Sequence, residues 1–290
     1  MRKPVAAVVL CVLLGVIAAQ AQLPVNPSAP TLLETGFLQM YNLQFDEAHR
    51  TFAEAQKQRP DDPMVPVSDA AAYLFAEFDR LHVLESELFV SDDAYVNRTK
   101  QDPDLRVKQA FNAQLQRALT LANTALAKNP NDHNAMFAEV MQLGLMGDYT
   151  ALIEKRDLKG LSYIKEGRGL AESLLQADPG CYDAYIAVGV ENYLLSLKPA
   201  PVRWFLRVTG AQTDKETGLQ KLRITAAKGH YLLPYARMLL AVAALRDHQT
   251  DQARTLLESL SREFPHNRLY ASELAKLKLP PNPSSAYGTH

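Results

Sequence analysis

The 290-residue chain is 47% hydrophobic and 22% charged, with 13 glycines and a formal charge of −1. That length accommodates one or two domains and a sizeable core. The near balance of charge removes any electrostatic case for nucleic-acid binding, which needs clustered Lys and Arg.

Residues 1–21 read as a signal peptide. Arg2 and Lys3 form a short basic start, Val5 to Ala19 is an apolar run too short for a comfortable membrane span, and Ala19-Gln20-Ala21 fits the small-x-small pattern before a cut. Leu10 precedes Cys11, where a lipobox needs a small residue, so lipidation is rejected. Cleavage after Ala21 removes two cations and no acid, taking the formal charge from −1 to −3. It also leaves Cys181 as the single cysteine, unable to form an internal disulfide. This pattern predicts an exported bacterial protein, periplasmic or secreted, with cell-envelope association as a further option.

Residues 22–31 begin Gln-Leu-Pro-Val-Asn-Pro and read as a Pro-rich linker. Residues 32–278 read as helical throughout, with apolar residues at i, i+3, i+4 and i+7. In GFLQMYNLQFDEAHRTFAEAQKQRP (residues 36–60), a helix carrying Gly36 precedes a turn near Leu43-Gln44. A second helix then places Ala48, Phe52 and Ala55 on one face and stops at Pro60.

The second-helix pattern returns with Ala118, Ala122, Ala125 and Pro130. A first helix over 134–149 closes at Gly147-Asp148-Tyr149, and its partner follows, after an insertion, at 164–179. A first helix at 185–197 with Gly189 at its packing position has a delayed partner at 218–228, and the last unit runs 235–247 and 251–265. Residues 66–109 are helical but fit the repeat poorly, and the acid-rich stretch 85–93 reads as a solvated turn. Residues 279–290, rich in Pro and Ser, read as a flexible tail.

The spacing of Gly36, Phe45, Ala48, Phe52, Ala55 and Pro60 resembles a tetratricopeptide repeat (TPR), with Leu32 where the first helix usually has tryptophan. The recurrence of the pattern predicts an all-α fold, a right-handed helix-pair (TPR-like) α-solenoid with inserted helices. Residues 189–250 are also similar to the TPR family that includes the yeast inclusion-body-clearance protein. The matching features are Leu195-Ser196-Leu197-Lys198-Pro199, the Arg-aromatic stretch from Arg203 to Val208, Gly210, and Gly218-Leu219. That resemblance implies the architecture and brings no catalytic role with it.

No chemical motif accompanies the fold. The seven histidines are far apart and form no H-E-x-x-H, and no G-x-S-x-G or Walker sequence occurs. Asp61-Asp62 and Asn131-Asp132 follow helix-ending prolines and read as helix caps, without calcium-loop spacing. Cys181, after Pro179-Gly180, reads as a small turn residue before a reactive thiol. No enzyme activity, cofactor or metal is expected.

Surfaces remain. The first helices of a TPR solenoid line its concave groove, and here that face carries Phe37, Tyr41, Phe137, Met141 and Tyr193. An exposed apolar groove implies a cover: a partner's peptide or helix, or the protein itself, through its inserted helices or a tight superhelix, the second being preferred. Arg203, Trp204 and Arg207, beyond the helix stop at Pro199 and Pro201, form either an inserted packing helix, its arginines solvated or paired to acids such as Glu191, or a docking surface, the first being preferred. One and a half helical turns is too little for stable membrane binding alone. The expectation is a non-catalytic scaffold for another protein or peptide. Its alternative is a small-molecule or lipid carrier with the groove closed into a pocket.

Overall fold

The structure, a computed structural model, describes residues 30–85, 90, 92–100, 102–197 and 212–277. The expected signal peptide, nearly all of the linker, most of the acid-rich turn and the tail lie outside these residues. Thr31 onward forms one compact unit, all-α among the described residues. Its helices are α1 (Leu32–Tyr41), α2 (Phe45–Gln58), α3 (Met64–Arg80), α4 (Asp92–Asn97), α5 (Leu105–Lys128) and α6 (His133–Asp148). They continue as α7 (Asp157–Ala177), α8 (Tyr185–Ser196), α9 (Lys215–Lys228), α10 (Leu233–Arg246), α11 (Thr250–Glu263) and α12 (Arg268–Lys276).

The helices pack as consecutive pairs, α1/α2, α3/α5, α6/α7, α8/α9 and α10/α11, with α12 against α11. This is the helix-pair solenoid that the repeat pattern predicts. The reason lies in the punctuation. The helices α2, α5, α7 and α11 each end two residues before a proline (Pro60, Pro130, Pro179, Pro265), and the intervening Arg59, Asn129, Asp178 and Phe264 are all non-helical, with φ of −131°, −141°, −137° and −123°. A proline forces that conformation on the residue before it, so each second helix stops at the same place. Starts are set by side-chain caps. Thr31 and Glu34 form a capping box on α1, and Asp104, Asp132, Asp214 and Asn267 accept N–H bonds at the starts of α5, α6, α9 and α12.

Close helix approach follows from small residues. The Phe52 ring occupies the space where a side chain on Gly36 would be, and a Cβ on Gly218 would sit 2.6 Å from the Tyr193 backbone nitrogen. The turns also repeat: Leu43, His82 and His248 each follow a first helix in the left-handed region, at φ 60°, 56° and 57°. None of the three is glycine or asparagine, the usual occupants, so the turn positions carry no composition signal.

Three expectations about the units are corrected. The poorly fitting region 66–109 contains α3, the first helix of the unit whose second helix is α5, and residues 81–104 separate the two. The partner of α6 starts at Asp157, seven residues before 164, so the apparent insertion is mostly extra helix. Gly147-Asp148 does not close that unit. Both residues are helical, a π-helical turn follows over Tyr149–Ile153, and the left-handed residue is Lys155 at φ 55°.

Candidate functional site: the closed inner face

The inner face is built from the first helices, as expected, but the molecule covers it itself. Tyr41 on α1 donates its hydroxyl to the Tyr231 carbonyl (3.0 Å), and Asn267 returns a bond to the Tyr41 carbonyl (2.8 Å). The His266 N–H donates to Asn42 Oδ1 (3.1 Å), Arg268 grips both oxygens of Asp79 at 2.8 Å, and His230 Nε2 lies 3.1 Å from Glu34. Rings fill the space between: Phe37 stacks on Tyr231 (4.9 Å), Tyr41 meets Phe264 (5.4 Å), and Phe75 meets Tyr235 edge-on (5.5 Å). The two ends of the repeat array are thus joined through aromatic and polar contacts, each between residues far apart in sequence.

One carboxylate organises this seam. Asp183, buried in the short 3₁₀ turn before α8, accepts N–H bonds from His230, Tyr231 and Leu232 at 2.9–3.0 Å. Satisfying three successive amides fixes the loop before α10, and that loop carries Tyr231 onto Phe37. Behind it, Tyr235 donates to Asp148 Oδ2 (3.2 Å). Burial pushes the Asp148 carboxyl up to about 6, with the Tyr235 hydrogen bond acting against that rise. Burial also raises the Tyr41 and Tyr235 hydroxyls well above the usual phenol range.

The groove residues are accounted for accordingly. Phe37 and Tyr41 lie inside the seam, and Phe137, Met141 and Tyr193 are buried in the same unit, each of the five between 3% and 6% exposed. As placed, these five residues present no open surface for a partner. For Phe37 and Tyr41 the physical reason is that the inner faces of the first and last units meet, whereas Tyr193 is buried in a separate cluster with Leu219 and Leu222 of its partner helix α9. Leu194 is the exception among the neighbouring inner positions, exposed to 41%. Arg203, Trp204 and Arg207 lie outside the described residues.

A second, polar junction was not anticipated. Glu191 on α8 has no exposed surface and pairs with Arg168 Nε on α7, so its described partner is Arg168. Burial raises the Glu191 carboxyl, and the Arg168 charge opposes the rise. Arg168 also binds Glu172 (2.7 Å), Gln212 donates to Glu172 (2.7 Å), Asn192 donates to Gln212 (2.7 Å), and the Asp214 N–H donates to Asn192 (3.3 Å). Residues 212–214 are thereby fixed to α7 and α8. The sequence signal was thin: polar residues inside otherwise apolar helical stretches at 191–192.

Other candidates resolve plainly. Cys181 is half-buried, and burial pushes its thiol up to about 11, which makes the thiolate scarce at neutral pH. His49 pairs with Asp69 (2.6 Å) and stacks on Tyr73, while Asp69 also accepts from Gln114, so these residues tie α2, α3 and α5 together. Asp62 accepts from the Met64 N–H and Asp132 from the Ala135 N–H, the helix-start roles read from the sequence. Among the described residues no group of three or more His, Cys, Asp or Glu converges as metal ligands do. A cleft of about 270 Å³ lies between α9 and α10, floored by Leu219, Leu240 and Ala243, with Lys215 paired to Asp247 at its edge (2.5 Å).

No protein-family model matches the chain, and no curated protein is significantly similar to it. Among solved structures, the chain is similar to a thermophilic TPR protein of Thermus thermophilus, with 15% identity and a TM-score of 0.44 over 85% of this chain and 96% of the other.

Proposed function

We propose that this protein is a non-catalytic, exported helical-repeat scaffold that binds another protein or peptide, and that Arg203, Trp204 and Arg207 are its docking residues. The supporting observation is the division of labour between the two junctions. The inner face, where a solenoid ordinarily receives peptides, is occupied by the chain's own Tyr231, Tyr235 and Phe264. The Arg-Trp segment instead lies between two anchored points: α8, which ends at Ser196, and Gln212, held by Asn192 and Glu172. Trp and Arg are the residues that most often carry interface energy. A carrier reading draws no comparable support, because the side chains that would line its pocket are used in internal packing.

The test is a crosslinking pull-down from the native envelope fraction with wild type and Trp204→Ala/Arg207→Ala, after circular dichroism shows equal folding. A specific protein captured by wild type and lost from the folded double variant supports the docking assignment. Identical capture by both removes the segment from the proposal.

A further inference from the structure

Away from both junctions, the starts of α5 and α7 present apolar side chains outward. Leu158, in the first turn of α7, is 86% exposed, and Leu105, the first residue of α5, is 70% exposed. Single exposed leucines are ordinary on protein surfaces. These two are not scattered. Lys108, one turn along α5 from Leu105, pairs with Glu154 (2.9 Å), and Arg98 pairs with Asp157 (2.6 Å), next to Leu158. Both helix starts are thereby tied to the same turn before α7.

The presentation is also fixed. The buried Arg98 donates to the Ala151 carbonyl (2.9 Å) and lies 3.8 Å from the centre of the Tyr95 ring. Lys155 holds a left-handed backbone while its amine donates to the Arg98 carbonyl (2.7 Å). Backbone in that region is retained only where its surroundings over-determine it. A buried guanidinium, a π-helical turn and a left-handed lysine together hold Leu158 in water.

The charge around it leans positive. Residues 98–108 and 151–159 carry seven cations (Arg98, Lys100, Arg106, Lys108, Lys155, Arg156, Lys159) against four carboxylates (Asp102, Asp104, Glu154, Asp157), and the start of the adjoining α4 adds Asp92 and Asp93. Asp157 and Glu154 are taken by Arg98 and Lys108, and Asp104 caps its own helix. Among the described residues no carboxylate pairs with Lys100, Arg106, Lys155 or Lys159, and all four are exposed. A groove-binding peptide needs concavity, whereas these leucines protrude. Protruding apolar side chains ringed by exposed cations complement a flat surface with negative headgroups above hydrocarbon.

We propose that this part of the chain docks on an anionic lipid surface, with Leu105 and Leu158 entering the boundary between headgroups and acyl chains and Lys100, Arg106, Lys155 and Lys159 meeting lipid phosphates. The test uses the full chain as L158W/W204F, so that the only tryptophan reports on position 158 itself. This matters because the apolar run Val5–Ala19 can partition into vesicles independently. With phosphatidylglycerol vesicles the emission shifts to shorter wavelength, with phosphatidylcholine vesicles it does not, and adding R106E/K159E weakens the anionic-vesicle response at least tenfold. If position 158 stays water-exposed on phosphatidylglycerol vesicles, or shifts equally on both lipids, the proposal is overturned. Should L158W alter the circular dichroism spectrum, L105W/W204F gives the same readout from the other leucine.

Discussion

The aromatic seam and the polar junction both fasten distant parts of the chain, but they fail differently. The seam joins α1 and α3 to the 230–270 stretch mainly through rings, so its contribution is spread over many weak contacts. The junction of α7, α8 and residues 212–214 concentrates its contribution in one buried ion pair and a chain of side-chain hydrogen bonds. A spread interface tolerates the loss of one member. A buried pair leaves an uncompensated charge when one member goes, while loss of both members together is far milder.

The largest effect should therefore come from Glu191→Ala, which leaves Arg168 with Glu172 alone and should cost about 3 kcal/mol in urea unfolding. Arg168→Met/Glu191→Leu should recover most of that loss. A double variant as unstable as the single would show that the hydrogen-bond network, rather than the charge pair, carries the junction. Next comes Phe37→Ala in the seam, expected to cost roughly 3 kcal/mol through the cavity left beside Tyr231 and Phe52. A smaller step, Tyr41→Phe, removes the hydroxyl that donates to the Tyr231 carbonyl and should cost about 1 kcal/mol.

Asp148 gives the comparison a pH axis. Its folded value, raised to about 6, lies above the ordinary Asp value of 3.8, so the folded state binds more protons than the unfolded state between those values. Its contribution therefore opposes folding at pH 7 and is relieved as pH falls through 6 towards 4. Asp148→Asn keeps an acceptor for Tyr235 and should stabilise the protein by up to about 3 kcal/mol at pH 7, with the difference vanishing near pH 4. Thermal melts across that range check it. A constant difference at every pH would show that the change acts through packing. The smallest effect is expected from Arg268→Ala, whose exposed pair with Asp79 should be worth less than about 1 kcal/mol and should weaken further in salt.

The positions most legible in the sequence were those set by local chemistry. Pro60, Pro130, Pro179 and Pro265 marked four helix ends because proline acts on its immediate neighbours. Asp62 and Asp132 marked starts because a cap reaches only two or three residues. The α3/α5 pairing was obscured because residues 81–104 separate two helices that ordinarily sit a few residues apart. The π-helical turn at Tyr149–Ile153 was missed because the Gly-Asp-Tyr sequence before it also suits an ordinary repeat turn.

The sequence by itself determined that this protein is a series of antiparallel helix pairs, since helix period, small packing residues and proline stops act over one or two turns. Only the tertiary structure decided that the inner face is closed. Closure depends on the small rotation between successive units, summed over the whole array, and no local pattern encodes that sum. It also decided that Glu191 meets Arg168 and that Asp183 holds the loop at Tyr231, because those partners lie 23 and 48 residues apart and become neighbours only when the pairs are stacked.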